Sequence, residues 1–115
     1  PVTRRLLSVL RGSAIVPSQA LVNHADGKTV RLIRECGHYA GLTLHPDALS
    51  SERAVAWVRR LGSERLVFNS EMGSGAGDLT SVARSVHLMA RGKLSESVSA
   101  RVRWKNAVEF LHLPA

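Results

Sequence analysis

Two histidines and one glutamate stand where short apolar runs end, and their side chains are of the types that bind metal ions. His24 follows the run ALVN, His45 follows YAGLTL, and Glu71 follows LVFNS. Imidazole and carboxylate groups suit Zn²⁺ and similar divalent ions. In parallel α/β folds the carboxyl ends of neighbouring strands meet at one edge, where active sites lie. We therefore expect His24, His45 and Glu71 on one rim. Histidines that only cap strands or bond to loop carbonyls are the alternative.

The segment NSEMGSGAGD, residues 69–78, places three alternate glycines between an apolar run and a helix-like stretch. Backbone N–H groups at the start of a helix can bind phosphate. However, the spacing is G-x-G-x-G rather than G-x-G-x-x-G, and no P-loop lysine follows. Asp78 is also a predicted helix N-cap, whose carboxylate would occupy amide donors and repel phosphate. We therefore predict a loop that lines a pocket, with Gly73 and Gly75 as candidate substrate-binding positions.

The elements that must position these residues alternate along the chain. Stretches with apolar residues at helical spacing end at a glycine, which readily adopts the left-handed conformation that closes a helix. These glycines are Gly12, Gly37, Gly62 and Gly92. Runs rich in strand-forming residues lie between them, at 20–24, 39–45 and 65–70. The pattern predicts an α/β fold with a parallel sheet, in the order α-β-α-β-α-β-α, followed by shorter helices at 94–102 and 105–112.

The length of 115 residues allows one domain at most. A complete (β/α)8 TIM barrel needs ~250 residues, so three βα units would form less than half of one. A small open three-layer domain is the competing geometry. Because a helix precedes the first strand, we favour the barrel and expect residues 1–115 to form a single partial domain without an internal boundary.

The net charge of +7, from 16 Lys and Arg against 9 Asp and Glu, favours polyanionic partners, although basic solvated helix faces explain it as well. Cys36 is the only cysteine, so an intrachain disulfide is excluded. No apolar run approaches the ~20 residues of a membrane span, and no signal peptide is recognisable. We therefore expect a cytoplasmic protein without a membrane partner.

From Ala20 to about Leu113 the sequence resembles the C-terminal third of the TatD-like metal-dependent hydrolases, which are TIM barrels of the amidohydrolase superfamily. The stretch NHADGKTVRLIRECGHYAGLTLHP is similar to the sixth and seventh strands of that family. His24 falls on the histidine that binds metal there. A "G-aromatic-small-G" pattern opens the family's seventh strand, and its counterparts here are Gly37, Tyr39 and Gly41.

The remaining motifs resemble the end of the same barrel. RLVFNSEMGSGAGD is similar to the eighth strand, and Glu71 stands where the family has its catalytic aspartate. NAVEFLHL resembles the closing helix, with Asn106 and Phe110 at matching positions. The chain would then supply strands 6–8 of the barrel and the C-terminal helices. Glu71 lengthens the carboxylate arm by one methylene, which changes how it would reach a metal ion.

The resemblance implies a hydrolase in which one or two divalent ions (Zn, Mg or Mn) activate a water that attacks an ester, phosphodiester or amide. His24 and Glu71 would be metal ligands, Glu71 would accept the proton of the water, and His45 would contact the substrate. Nucleic acid or another phosphate ester is a substrate class that suits the basic charge.

The family's first-strand His-x-His and its middle-strand ligands are missing from the sequence. An isolated copy would thus lack a full metal centre and would be inactive. It would need the remainder of the barrel, or a partner subunit, to cover its sheet edges. Two alternatives stay open: a non-catalytic small α/β subunit, and a basic nucleic-acid-binding module.

Overall fold

A computed structural model describes residues 2–73 and 75–114 of the chain. The strands are β1 (Leu21–Val22), β2 (Tyr39–Leu44) and β3 (Leu66–Ser70). The α-helices are α1 (Val2–Arg11), α2 (Thr29–Glu35), α3 (Ser51–Leu61), α4 (Ser81–Arg91), α5 (Glu96–Ala100) and α6 (Asn106–Phe110). A 3₁₀ turn, Pro17–Gln19, precedes β1, and a π-helical turn, Arg101–Lys105, joins α5 to α6. This order confirms the predicted α/β alternation.

The three strands form one parallel sheet in the order β1-β2-β3. Each crossover helix therefore carries the chain to the next strand in the same direction. The central strand β2 is buried along its whole length. Strand β1 is shorter than the predicted 20–24 because His24, with φ of 55°, leaves the extended conformation.

All the strand residues of the main hydrophobic core come from one face of the sheet, as expected when alternate residues point to opposite faces. These residues are Val22, Ala40, Leu42, Leu44, Leu66 and Phe68. Helices α2, α3 and α4 pack against them through Val30, Ile33, Ala54, Val58 and Met89. The opposite face carries Asn23, Gly41, Thr43 and Asn69 toward the carboxyl ends of the strands, together with the buried Tyr39 and Val67.

Of the four glycines predicted to close helices, Gly37 and Gly62 adopt the left-handed conformation, whereas Gly12 and Gly92 do not. Gly37 and Gly62 have φ of 84° and 77°, the left-handed conformation predicted for a residue after a helix. After α4 the left-handed residue is Lys93, with φ of 59°, whereas Gly92 has φ of −78°. The side chain of Ser50 caps α3 by accepting the Arg53 N–H. No helix in the described ranges is long and apolar enough to cross a bilayer.

One buried amide ties the C-terminal segment to the sheet. Asn106 has no exposed surface, and its Nδ2 donates to the carbonyl oxygens of Ser63 and Leu66, both at 2.7 Å. The predicted helices at 94–102 and 105–112 are therefore parts of one nearly continuous segment beside β3. Tyr39 of β2 contacts the end of this segment, with its ring centroid 5.4 Å from that of Phe110.

Candidate functional site

The carboxyl ends of β2 and β3 bring His45 and Glu71 next to each other. The register pairs Leu44 with Ser70, and the Glu71 N–H donates to the Leu44 carbonyl oxygen at 3.3 Å. His45 and Glu71 are the next positions along this register. The prediction that residues of separate strands share this rim is thus supported for these two side chains, although no distance here defines a metal-binding geometry.

His45 is held by its own loop. Its side chain is 8% exposed, and its Nδ1 accepts the Asp47 N–H at 3.2 Å. The backbone of the loop after β2 therefore engages Nδ1, and Nε2 is the other ring nitrogen. A Cβ atom built on Gly75 would lie 4.0 Å from that Nε2. The glycine loop therefore approaches His45, whereas no atom of residues 2–73 and 75–114 lies within 4 Å of a Cβ built on Gly73.

His24 lies on a different part of the rim. It is exposed, and its N–H donates to Thr43 Oγ1 at 3.2 Å. With Arg53 and Trp57 it lines a pocket of about 170 Å³ beside α3. His45 instead lines a pocket of about 220 Å³ between the loops that follow β2 and β3. The two histidines are thus separated by the loop between β2 and α3.

Asp26, which follows His24, has a structural role. Burial alone raises the pKa of Asp26, but hydrogen bonds from Thr29 and Lys28 outweigh it, so this pKa lies below its ordinary value. The Oδ1 atom accepts both the Lys28 and the Thr29 N–H groups at 2.8 Å. This carboxylate therefore organises the turn that leads into α2.

Asp78 is not the predicted N-cap of α4, which is Thr80; its carboxylate instead binds Thr80 in the turn before the helix. Its Oδ1 accepts the Thr80 N–H at 2.8 Å and the Thr80 hydroxyl at 2.7 Å. Its Oδ2 lies 2.9 Å from Arg84 Nη1. The bonds from Thr80 and the charge of Arg84 hold the pKa of Asp78 below its ordinary value. An ionised, hydrogen-bonded carboxylate at the start of α4 argues against a phosphate cradle there.

In the described parts of the chain, no group of three or more His, Cys, Asp and Glu side chains is arranged to hold a metal ion. His24 and Glu71 have the donor chemistry that a divalent ion requires, but they are only two ligands. The metal site formed by these two residues therefore stays a prediction, as does the substrate contact of His45, Gly73 and Gly75.

A pair of asparagines on the strand face opposite the helices was not anticipated from the sequence. Asn69 Nδ2 donates to Asn23 Oδ1 at 2.8 Å, which joins the two outer strands above the central one. A Cβ atom built on Gly41 of β2 would lie 2.2 Å from this oxygen and 3.0 Å from Asn69 Nδ2. The available signal was Gly41 itself, because glycine inside a strand often marks a close approach.

Comparison with protein-family models found no match, and comparison with curated proteins found none either. The resemblance to TatD-like hydrolases therefore stays a prediction.

Proposed function

We propose that this chain supplies strands 6–8 of a (β/α)8 barrel, as the C-terminal segment of a TatD-like, metal-dependent hydrolase. The observation that carries the proposal is the parallel order β1-β2-β3 with the helices α2, α3 and α4 packed on one face. In a barrel each strand is followed by its neighbour, and the helices form an outer ring. A doubly wound sheet instead reverses its strand order and has helices on both faces.

The opposite face would line the interior of the barrel. It carries Thr43 and the bonded pair Asn23 and Asn69 toward the carboxyl ends of the strands, and the buried Tyr39 and Val67 toward their start. The rest of the barrel, or a partner subunit, would cover the sheet edges. We place this assembly in the cytoplasm.

The side chains at the carboxyl edge have distinct roles in this proposal. His24 and Glu71 would hold a divalent ion (Zn, Mg or Mn), with further ligands supplied by the remainder of the barrel. When bound, such an ion lowers the pKa of a water, which can then attack an ester, phosphodiester or amide. Glu71 would accept the proton of that water. His45 would contact the leaving group or an anionic oxygen of the substrate.

The first test is the metal content of the complete native protein, measured by elemental analysis together with hydrolysis of a chromogenic phosphodiester. We expect about one or two divalent ions per chain. Glu71→Gln removes the proton acceptor and one charge, and should lower kcat at least ~100-fold. Glu71→Asp, which restores the family's shorter carboxylate, should retain activity and bound metal.

A native protein without stoichiometric metal would contradict the hydrolase and favour the non-catalytic small α/β subunit, which is the interpretation supported by the incomplete ligand set. Sequencing the gene upstream provides a second check. The barrel requires a His-x-His in an apolar strand about 150 residues before Pro1, given the size of the fold.

A further inference from the structure

The outer surface between α2 and α3 has a pocket that belongs to neither histidine. Its volume is about 440 Å³, and it is lined by Gly27, Lys28, Arg31, Arg60 and Leu61. We call it the outer basic pocket. Three of its five lining residues are cations, and none is acidic. Such a concave cluster raises the local concentration of anions.

The positive charges of this pocket are not neutralised by ion pairs. Among residues 2–73 and 75–114 the carboxylate partners of arginine are Asp78, Glu109 and Glu96, all outside the pocket. Asp26 is the acidic residue closest in sequence, and its Oδ1 accepts the backbone N–H groups of Lys28 and Thr29. The Asp26 carboxylate therefore stabilises the turn before α2 and forms no ion pair with the cations of the pocket among the described residues.

The guanidinium of Arg60 is positioned by the backbone of the loop before α2. Its Nη2 donates to the Gly27 carbonyl oxygen at 3.4 Å. A Cβ atom on Gly27 would lie 2.7 Å from this Nη2 and 3.0 Å from Trp57 Nε1. The missing side chain of Gly27 thus leaves the space that the guanidinium occupies. The planar guanidinium of Arg60, which lines this pocket, has the geometry for bidentate contact with phosphate.

We propose that the outer basic pocket binds a short chain of linked phosphates, either a free oligophosphate or the phosphate tail of a nucleotide. Three cations gathered around one concavity match two or three adjacent phosphate groups. A nucleic acid strand spreads its charges along its length and requires a longer track of cations. This site is independent of the proposed hydrolase chemistry, because neither His24 nor Glu71 lines it.

The test is calorimetric titration of the full chain with inorganic triphosphate and pyrophosphate, in EDTA so that no divalent ion takes part. We expect saturable binding at one site, tighter for triphosphate, and weak binding of sulfate. Lys28→Gln, Arg31→Gln and Arg60→Gln should each weaken triphosphate binding about tenfold, since each removes a charge-assisted contact. Arg5→Gln, an exposed position on α1, removes the same charge and should change the affinity less than twofold.

The variant Gly27→Ala tests whether triphosphate binds at a specific site or is only attracted by the net positive charge of the protein. The change keeps every charge but displaces the guanidinium of Arg60, so triphosphate affinity should fall at least fivefold. Circular dichroism would confirm that the variant is folded. A nucleoside triphosphate that binds more tightly than inorganic triphosphate would assign the nucleotide, and equal affinities would assign the free oligophosphate.

Three outcomes would overturn the proposal. The first is the absence of saturable triphosphate binding. The second is an equal loss of affinity in Arg5→Gln and Arg60→Gln, which would show that only net charge matters. The third is tight binding of a single-stranded oligonucleotide that triphosphate does not displace, which would assign the pocket to nucleic acid.

Discussion

The amide pair above the centre of the sheet depends on a residue without a side chain. Asn23 and Asn69 belong to the outer strands and bond at 2.8 Å over Gly41 of the central strand. Strands lie ~4.8 Å apart, so the two side chains together bridge two strand spacings. The bond therefore fixes the relative position of the strands that carry His24 and Glu71.

Gly41→Ala should destabilise the protein by about 1–2 kcal/mol, because its Cβ would overlap Asn23 Oδ1 and separate the amide pair. Urea unfolding measures the free energy. In the double variant with Asn23→Ala the clashing oxygen is gone, so the loss should be smaller than the sum of the single losses by at least ~0.5 kcal/mol. Gly73→Ala, which meets nothing within 4 Å, is the matched control and should be nearly neutral. Additive losses would refute the steric explanation.

For single residues, the sequence predicts which edge of the sheet they occupy better than it predicts which side chains they contact. The polar groups at strand ends were expected at the carboxyl edge, and His45 and Glu71 are adjacent there. The asparagine pair could not be derived, because it requires the register of three strands that are far apart in sequence. The separation of His24 from His45 was also not foreseen, since it depends on the positive φ of His24.

The position of the C-terminal helical segment depends on one buried side chain. Asn106 is fully buried, and its amide satisfies two carbonyl oxygens in and before β3. A buried carbonyl without a donor costs ~1–3 kcal/mol. This side chain thus attaches the π-helical turn and α6 to the sheet. Apolar contacts alone would fix the position of this segment less specifically, because they are not directional.

Asn106→Ala should lower the free energy of unfolding by about 1–3 kcal/mol, since it removes the side-chain donor of the Leu66 carbonyl oxygen, whereas the Ser63 oxygen keeps the Leu66 N–H at 3.3 Å. Urea titration gives the magnitude, and hydrogen exchange should show faster opening of residues 101–110 than of β2. Lys105→Ala, at the exposed neighbouring position, should change the stability by less than ~0.5 kcal/mol. Equal effects of the two changes would mean that the amide does not anchor the segment.

Element order was predictable because glycines and polar caps delimit the helices, whereas element boundaries depended on tertiary contacts. Ser50 caps α3 as its sequence pattern indicates. The break predicted between 102 and 105 is instead a π-helical turn, which lets Asn106 face β3. Neither the π turn nor the early end of β1 has a local sequence signal.

Across the whole molecule, some of the positive charges lie on arginines that bond to the backbone. The net charge is +7, yet several arginines bond to backbone carbonyl oxygens rather than to carboxylates. Arg34 donates to Leu61 and Glu64, Arg59 to Gly92, and Arg65 to Gly37. These cations attach helix and strand ends, and none of the ion pairs among the described residues involves them. Mutual repulsion should therefore destabilise the compact state at low salt.

We expect the thermal unfolding midpoint to rise between 20 mM and 500 mM NaCl, because the Debye length falls from over 20 Å to about 4 Å and screens this repulsion. A gain of about 1 kcal/mol corresponds to ~4 °C for a domain of this size. Replacing Arg4 and Arg5 of α1 by glutamine lowers the net charge to +5 and should reduce the slope against salt. A midpoint that falls with added NaCl would show instead that attractive pairs, such as that of Arg84 and Asp78, dominate the electrostatic free energy of folding.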